Sequence, residues 1–521
     1  MSFARAFLTV SGLTLVSRVA GFVRDLLMAA LLGAGPIADA FFVALKLPNF
    51  FRRFFAEGAM SVAFIPRYSG LLEQGQVGAA DALASRTLAL LLAVLLPATA
   101  AMVVAMPYIV PILAPGFIGD PARFGPAVEM ARITFPYLLL ISLVALFGGV
   151  LNARDRFAPF AGAPILFNAC LIAALFGLSG RTQSPGHALS YGVAAAGLLQ
   201  LIWLGWEVRR SGARLSLPWP RLTPQVRAML GAMAPAALGA GIVQINLLID
   251  VFLASLLPTG AVSALYYADR LNQLPLGVIG IAVGTALLPM LSRSLEAGDT
   301  ARSTTLFSRA LEVSLFLTVP AAAALAVAAQ PMIGVLFERG AFTATATAKA
   351  AGALTAYAVG LPAYITVKVA STAYFARKDT ATPVKIAAIG AVANIVLNLI
   401  LIGPLQHVGL ALGTALAAWL QAALLTRGVL RQDWLGIDTR LRRALPRIAL
   451  TSGAMGAALY LGFTTTTAFW HGGHAAVQIP LLIGLCFAGL MLYLGLGWAA
   501  GIARPAELRA LLRRGAAADS A

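Results

Sequence analysis

The sequence predicts an all-α polytopic membrane protein with 14 transmembrane helices. Of its 521 residues, 60% are hydrophobic and only 11% are charged, and the mean hydropathy is +0.86. Soluble domains carry about 25% charged residues. Apolar runs of about 18 residues or more, repeated along a chain, are typical of helices that cross a bilayer. These observations exclude a soluble globular protein.

Fourteen candidate spans follow one another along the chain. They lie near residues 5–33, 36–66, 84–112, 128–151, 159–179, 187–207, 228–257, 262–291, 305–329, 347–375, 381–402, 407–427, 444–464 and 477–501. The first run has some features of a signal peptide, but Arg18 interrupts it and no small-residue cleavage site follows. We therefore interpret it as a retained first helix.

Basic residues are unevenly distributed over the loops between these spans. If the N-terminus is inside, the inner loops and tails hold about 26 of the 38 Lys and Arg residues, and the outer loops hold about five. The positive-inside rule then predicts that both termini are cytoplasmic. The same bias explains the net charge of +18 without a nucleic-acid partner, and none is expected.

Signatures of enzyme chemistry are missing from the sequence. It contains no Gly-x-x-x-x-Gly-Lys-Ser/Thr loop for ATP hydrolysis and no His-Glu-x-x-His metal motif. His471 and His474 lie in a Gly-flanked outer loop, where solvent-exposed histidines are common. Cys170 and Cys486 sit far apart within apolar runs, so no disulfide framework is indicated. We expect a transporter rather than an enzyme.

The second span, residues 36–66, is unusual because it holds four charges between Lys46 and Glu57. A charge at the centre of a lipid-facing helix costs roughly 2.5–3.5 kcal/mol, whereas each Leu, Ile, Phe or Val returns about 0.3–0.6 kcal/mol. Asp39, Lys46 and Arg53 recur every seven residues and therefore share one helical face, with Glu57 one turn further. We predict that this stripe lines a wet cavity inside a bundle. The alternative is an amphipathic helix on the membrane surface.

Seven cations fall inside predicted spans, and intramembrane ionisable residues are functional candidates by default. They are Arg18, Arg24, Lys46, Arg52, Arg53, Arg270 and Lys368. A guanidinium binds phosphate oxygens in pairs and keeps its proton, so clustered arginines in a wet cavity suit a diphosphate. The alternative is that each arginine is merely paired with an acid. The candidate pairs are Arg24 with Asp25, Arg53 with Glu57 and Arg270 with Asp269.

Oxygen-bearing side chains mark the second half of the chain. Asp250 lies in span 7, Asn394 and Asn398 share one face of span 11, and Thr414 lies in span 12. Carboxylate, carboxamide and hydroxyl oxygens are ligands suited to a small cation. A neutral hydrogen-bond network between helices explains the same residues equally well, and both interpretations stay open.

Two sequence patterns recur about 224 residues apart. Ala153-Arg154-Asp155 returns as Ala376-Arg377-Lys378-Asp379, and Phe41-Phe42 before Lys46 returns as Tyr266-Tyr267 before Arg270. A repeat of that length contains six spans, so both halves insert in the same orientation, with a pseudo-twofold axis along the membrane normal and the site between them. The predicted domains are an N-terminal lobe at 1–220, a C-terminal lobe at 221–430, two additional helices at 440–503 and a cytoplasmic tail at 504–521.

Four motifs together resemble the MurJ/MviN family of lipid II flippases, in the multidrug/oligosaccharidyl-lipid/polysaccharide exporter superfamily. The first runs through Asp39-Ala40-Phe41-Phe42-Val43-Ala44, Lys46-Leu47-Pro48-Asn49, Arg52-Arg53 and Phe55-Ala56-Glu57-Gly58. The others are Tyr266-Tyr267-Ala268-Asp269-Arg270, Ala114-Pro115-Gly116-Phe117 and Thr382-Pro383-Val384-Lys385-Ile386. The similarity covers essentially the whole chain.

The resemblance implies that a lipid-linked peptidoglycan precursor, lipid II, is moved from the cytoplasmic to the periplasmic leaflet of a bacterial inner membrane. It implies a central cavity lined by Arg18, Arg24, Asp39, Arg52, Arg53 and Arg270, and a groove for the polyprenyl tail along spans 13 and 14. The full substrate-binding prediction adds Lys46, Glu57 and Asp269. A sodium ion at Asp250, Asn394, Asn398 and Thr414 is the one cofactor suggested. Other cell-wall synthesis proteins are suggested partners.

The predicted mechanism is alternating access between the two lobes. A membrane potential that is negative inside would help to expel an anion, by about 2.3 kcal/mol per charge per 100 mV if the charge crosses the whole field. One rival function is a flippase for another polyprenyl-diphosphate glycan. A cation-coupled drug exporter is a second rival, which would need an acidic, aromatic first-lobe cavity. A non-transporting scaffold would need no charged cavity at all.

Overall fold

Helices account for the regular structure of the part of the chain that the computed structural model describes, namely residues 3–52, 60–431, 434–470 and 475–502. Such helices satisfy their own backbone hydrogen bonds, as a lipid environment demands. They are α1 Phe3–Leu32, α2 Pro36–Arg52, α3 Met60–Glu73, α4 Val77–Leu113, α5 Pro121–Thr134, α6 Tyr137–Asn152, α7 Ala158–Leu178, α8 Pro185–Arg210, α9 Pro224–Ser255, α10 Ala261–Glu296, α11 Thr300–Val327, α12 Ala329–Phe337, α13 Ala344–Ala376, α14 Ala381–Arg431, α15 Thr439–Thr465, α16 Thr467–Trp470 and α17 Ala475–Ala499.

The predicted helical membrane fold is confirmed, and all fourteen predicted spans fall on these helices. Within the described ranges, nine helical segments are long and apolar enough to cross a bilayer. The count of fourteen spans therefore stays a prediction. Span 36–66 covers α2 and the start of α3, with residues 53–59 outside the described part. Span 128–151 covers the end of α5 and all of α6, which are separated at Phe135 and Pro136.

The 51-residue helix α14 contains two of the predicted spans. A straight helix of that length would be about 76 Å long, more than twice the thickness of a bilayer core. Pro404 and the non-helical Gln406, with φ 50° and ψ −129°, break it where the sequence predicts a loop. Beyond the break the chain folds back, because Gly413 lies against the side chain of Asn398. Spans 11 and 12 therefore form an antiparallel helical hairpin.

The chain divides into two compact units. Unit 1 comprises residues 1–263 and 339–343, and unit 2 comprises residues 264–338 and 344–521. The division falls after Ser263 rather than at the predicted lobe boundary at 220, so α9 belongs to unit 1. The predicted lobes describe a functional division, and they stay a prediction.

The predicted repeat reappears in the turns that follow α6 and α13. Asp155 and Lys378 both adopt left-handed backbone conformations, with φ of 58° and 63°. In both turns, two successive amides donate to carbonyls three residues earlier, and the next amide donates to the carbonyl five residues earlier. The amides are those of Arg154, Asp155 and Arg156 after α6 and those of Arg377, Lys378 and Asp379 after α13. Few residues other than glycine adopt this conformation. The matching turns support an internal repeat of about the predicted length.

A buried ionic cluster holds one end of unit 1 together. Asp81 on α4 accepts hydrogen bonds from Tyr68 Oη at 3.0 Å, Arg154 Nη2 at 2.7 Å and the backbone N–H of Arg214 at 2.9 Å. Arg154 Nε also donates to Tyr68 Oη at 2.9 Å. The cluster joins α3 and α4 to the loops after α6 and α8. By the predicted topology this is the cytoplasmic end.

In unit 2 the two additional C-terminal helices pack on α11. Met455 and Leu459 of α15 share an apolar cluster with Tyr493 of α17. Tyr493 Oη donates to the Phe316 carbonyl of α11 at 2.7 Å. This contact fixes α17, while Phe487 and other large apolar side chains of α17 stay exposed.

Candidate substrate-binding site

Arg24 on α1 is buried, with 9% of its surface exposed. Its Nη2 lies 2.7 Å from the carboxylate of Asp25, and its Nη1 donates to Asn168 Oδ1 on α7 at 2.8 Å. Asn168 Nδ2 in turn donates to the carbonyl of Ser17 at 3.1 Å. The pairing of Arg24 with Asp25, which the sequence offers as the alternative to ligand binding, therefore exists in the structure. Arg24 fixes α1 to α7 besides carrying charge.

Arg18 differs from Arg24 although both lie on α1. It is exposed, and it makes no hydrogen bond or ion pair with a described residue. A guanidinium that projects from an apolar helix in this way needs water or an anion, because lipid would impose the cost of a bare charge. Arg18 is therefore available to an anionic ligand.

Asp39 lies on α2 and is fully buried. Its carboxylate accepts the backbone N–H groups of Gly260 at 2.7 Å and Ser263 at 2.9 Å, as well as the Ser263 hydroxyl. These donors come from the start of α10 and the turn before it. In this conformation Asp39 joins helix ends within unit 1, so its predicted role at the cavity wall stays a prediction.

The remaining predicted charges of the second span are only partly described. Lys46 is half-buried on α2, two residues before the in-helix proline Pro48. Arg52 is the last residue of α2, and its side chain lies outside the described part. Arg53 and Glu57 lie outside the described residues altogether.

Arg270 is a predicted intramembrane cation that lies on α10 in unit 2. Its Nη2 donates to Tyr266 Oη at 3.0 Å, one turn earlier on α10, and its guanidinium lies over the Tyr266 ring, 4.6 Å from the centroid. Asp269 accepts a hydrogen bond from Gln273. Arg270 is half-exposed and held in position by Tyr266. A held guanidinium with part of its surface open is suited to binding an anion.

The predicted cation ligands form a hydrogen-bonded chain in unit 2. Asn398 Nδ2 donates to Asn394 Oδ1 at 3.2 Å, and Asn394 Nδ2 donates to Thr414 Oγ1 at 3.2 Å. Both asparagines are buried. Asp250 is half-buried on α9, which belongs to unit 1. The structure therefore shows the neutral-network arrangement for three of the four residues.

Close backbone contacts join further helix ends of unit 1 near Asp39. Arg123 Nη1 lies 3.4 Å and 3.3 Å from the carbonyls of Ser255 and Leu257 at the end of α9, and its Nη2 donates to the Gly116 carbonyl at 3.1 Å. The amide of Ala341 donates to the Ala30 carbonyl of α1 at 2.8 Å. These bonds satisfy carbonyls that a helix C-terminus leaves unpaired. One end of unit 1 is thus tightly closed.

Three partners of the predicted residues were not predicted from the sequence: Asn168 for Arg24, Ser263 for Asp39 and Tyr266 for Arg270. Asn168 carries a usable signal, because it is a carboxamide in the middle of an apolar span. Ser263 carries none, since two of the donors to Asp39 are backbone amides. Tyr266 lies within a repeated aromatic pair and a family motif, but no contact with Arg270 is predicted from either.

These arrangements suit the recognition of a large anion. Arg18 and Arg270 present exposed or half-exposed guanidinium groups, each within its own unit. Among the described residues no group of three or more His, Cys, Asp or Glu side chains could hold a metal ion. Arg18 and Arg270 are permanent cations that can contact a ligand.

A family model described as lipid II flippase MurJ matches residues 28–479. A probable lipid II flippase MurJ from Rhizobium meliloti (strain 1021) is 42% identical over 530 residues, which cover 100% of this chain and 98% of the relative. The lipid II flippase MurJ of Burkholderia cenocepacia is 36% identical over 441 residues, or 82% of this chain and 84% of the relative.

Solved structures agree with these sequence matches. A structure described as lipid II flippase MurJ in an inward closed conformation has a TM-score of 0.77 and 27% identity, and covers 94% of this chain and 97% of its own. A multidrug resistance MATE family transporter of the MOP superfamily, in an inward-facing conformation, has a TM-score of 0.67 at 14% identity. It covers 82% of this chain and 98% of its own, and shows a shared fold only.

Proposed function

From the premise that this chain belongs to the lipid II flippase MurJ family, we propose that it moves lipid II by alternating access, with the diphosphate held by arginines. The family relatives are named as flippases, so the chain is a transporter rather than an enzyme, as the sequence predicts. Lipid II is a peptidoglycan precursor, which assigns the chain to cell-wall synthesis. We place it in the bacterial inner membrane with both termini in the cytoplasm.

Arg270 carries the diphosphate proposal. Its guanidinium is held by Tyr266 through a hydrogen bond and ring stacking, which reduces the entropy lost when it binds an anion. Arg18 offers a second, exposed guanidinium on α1. Arg24 has a different part in this proposal, because Asp25 and Asn168 already engage it. It positions α1 against α7 through Asn168.

Closed helix ends in unit 1 support alternating access. The contacts of Asp39 with Gly260 and Ser263, and of Arg123 with Ser255, lie where the predicted topology places the outer side of the membrane. Release of substrate to that side would require these hydrogen bonds to break. Asp39 would then exchange backbone donors for water, or for the cations that the departing diphosphate leaves behind.

The polyprenyl tail has a matching surface on the two additional helices. Phe487 and Ile483 of α17 are 59% and 63% exposed, and Leu450 of α15 is 74% exposed. No charged side chain lies between Ala475 and Ala499. We place the tail along this surface, where apolar contact replaces contact with lipid.

Sodium coupling is a separate proposal within the same mechanism. Asn394, Asn398 and Thr414 supply oxygens that suit sodium, but they already bond one another. Binding would have to exchange at least one of these hydrogen bonds for the ion. If sodium binds here, it should raise the Tm of the native protein in detergent but not that of Asn398→Ala, with potassium as the control salt. Equal effects of sodium on both proteins would exclude the site.

Growth complementation tests the diphosphate proposal. In cells depleted of their own lipid II flippase, the native chain should support growth and Arg270→Gln should not, although both insert equally. Arg302→Gln is the matched control, since Arg302 is an exposed arginine of α11 near the predicted inner loop. Growth of the Arg270→Gln strain at the rate of the control would show that this arginine is not needed for transport.

A further inference from the structure

Lys368 is an intramembrane cation to which the arginine site gives no role. It lies within the predicted span 347–375 and is exposed on α13 of unit 2. Its ammonium group makes no ion pair with any residue in the described ranges. A charge in that setting must face water or an anionic ligand, because contact with lipid would be costly.

The position of the ammonium group is defined by α10. A Cβ atom at Gly280 would lie only 2.5 Å from Lys368 Nζ, so the lysine lies directly on the backbone of this glycine. Ile365 and Val369 flank Lys368 on α13 and share an apolar cluster with Ile279. Gly280 is eleven residues, about 16 Å, from the predicted inner end of span 8 at residue 291. Lys368 therefore does not reach the inner interface.

A row of exposed or half-exposed residues on α10 leads to Gly280, where the ammonium group of Lys368 lies. Tyr266, Arg270, Gln273 and Gly277 are exposed or half-exposed at intervals of three or four residues, which places them along one side of the helix. Gly280 is one turn beyond Gly277. This polar row thus has a guanidinium near one end and an ammonium at the other, both within unit 2.

The spacing along this row decides what Lys368 can bind. Arg270 and Gly280 are ten residues apart, which is about 15 Å along a helix. A diphosphate is much shorter than that, so one diphosphate at Arg270 does not also reach Lys368. Any anion bound by Lys368 would therefore be a group other than that diphosphate.

We propose that Lys368 binds a carboxylate of the peptide part of the substrate and makes transport selective for peptide-bearing precursors. This inference rests on the proposed function, in which Arg270 binds the diphosphate. A peptide ends in a carboxylate, and an ammonium with three donors is a good partner for one. In this arrangement the sugars would lie between the two cations, beside Gln273 and Gly277.

Transport in liposomes tests this proposal with two substrates. One is the polyprenyl-diphosphate disaccharide with its peptide, and the other is the same lipid without the peptide. Lys368→Gln should slow transport of the peptide-bearing lipid by about tenfold or more, the size expected for a charge-assisted hydrogen bond. It should leave transport of the peptide-free lipid within about twofold of native. Lys368→Arg should restore selectivity.

Two further variants test whether the position of the ammonium group matters and whether the effect is specific to Lys368. Gly280→Ala pushes the ammonium out of its position and should reduce the peptide preference without removing a charge. Lys385→Gln, at an exposed lysine of α14, is the matched control and should behave as native. A Lys368→Gln variant that slows both lipids equally, or neither, overturns the proposal. Failure of the native protein to transport either lipid would instead contradict the proposed function.

Discussion

Arg24 is a buried side chain that stabilises the fold, and the proposed function gives it a second role in transport. It is nearly enclosed, and it bonds Asp25 on its own helix and Asn168 on α7. A buried pair that loses one partner leaves an uncompensated charge, which costs about 3–5 kcal/mol. A loss of function in Arg24 variants therefore has two separable causes.

A double substitution separates these causes. Arg24→Gln alone should lower the Tm of the purified protein by several degrees, because the Asp25 carboxylate loses its adjacent cation. Arg24→Gln combined with Asp25→Asn should recover most of the Tm, measured by thermal unfolding in detergent. If Arg24 acts only through stability, transport recovers together with the Tm. We expect transport to stay low, because the guanidinium that bonds Asn168 and fixes α1 to α7 is still missing.

The ionic cluster around Tyr68 predicts a dependence on alkaline pH. Burial beside Asp81 raises the pKa of Tyr68 from its ordinary 10 to about 12. Because the folded state holds this proton more tightly, the contribution to stability is complete below pH 10 and is lost as the pH rises from 10 to 12. The loss should amount to roughly 1–3 kcal/mol.

Tyr68→Phe removes the titrating hydroxyl group, so the variant is the control for the native protein. Between pH 10 and 12 the native protein should lose Tm faster than the variant, although the variant starts lower because it lacks two hydrogen bonds of the cluster. Parallel decreases in Tm for the two proteins would show that Tyr68 does not titrate with a raised pKa.

Contacts between residues that are far apart in the sequence could not be predicted. The pairing of Arg24 with Asp25 is visible in the sequence as an alternative to ligand binding, because the two residues are adjacent. Asn168 is 144 positions from Arg24, and no periodicity links them. Asp39 was assigned to a charged stripe from its spacing, whereas in the structure it binds the N-terminal end of α10. Spacing reports which face of a helix a residue occupies, but not what packs there.

At the scale of helices and loops, two glycines allow close contacts at the closed end of unit 1. A Cβ at Gly116 would overlap the Ser255 carbonyl of α9, and a Cβ at Gly340 would overlap the Ala30 carbonyl of α1. The two glycines are 224 positions apart, as are the repeated motifs. The same loop-on-helix contact is therefore made twice, once from each half of the sequence.

Alanine at Gly116 should open this end of unit 1. The added methyl group collides with backbone rather than with a movable side chain, so the loop after α4 must shift away from α9. We expect a lower Tm and faster labelling of a cysteine introduced at Ser255 by a membrane-impermeant maleimide, in a background without Cys170 and Cys486. Gly35→Ala is the control, since nothing lies within 4 Å of its added atom. Equal labelling in both variants would contradict this role for Gly116.

Helix boundaries were predicted where an apolar run is interrupted in the sequence. The predicted loop between residues 402 and 407 coincides with the kink at Pro404 and Gln406 in α14. The break between α5 and α6 at Phe135 and Pro136 was missed, because apolar residues continue across it. Hydropathy detects where polar residues interrupt a span, but a bend inside an apolar run leaves no hydropathy signal.

At the scale of the whole molecule, composition predicted the class and the motifs predicted the family. Few charges and repeated apolar runs leave only a helical membrane protein, and the described helices confirm it. The division into compact units was not predicted, because it depends on packing: α9 joins unit 1 through contacts with α3 and α4. A repeat in sequence describes ancestry, whereas a compact unit describes which helices touch in one conformation.

In the proposed function, arginines held by neighbouring side chains bind the diphosphate of the transported lipid. The most direct test of this proposal is transport of fluorescently labelled lipid II in liposomes that contain the purified native protein, Arg270→Gln or the matched Arg302→Gln. We predict that the native protein and Arg302→Gln move the lipid between leaflets at similar rates, and that Arg270→Gln is slower by at least about tenfold, since a charge-assisted hydrogen bond is worth about 1.5–3 kcal/mol. Transport by Arg270→Gln at the rate of Arg302→Gln would contradict the proposal.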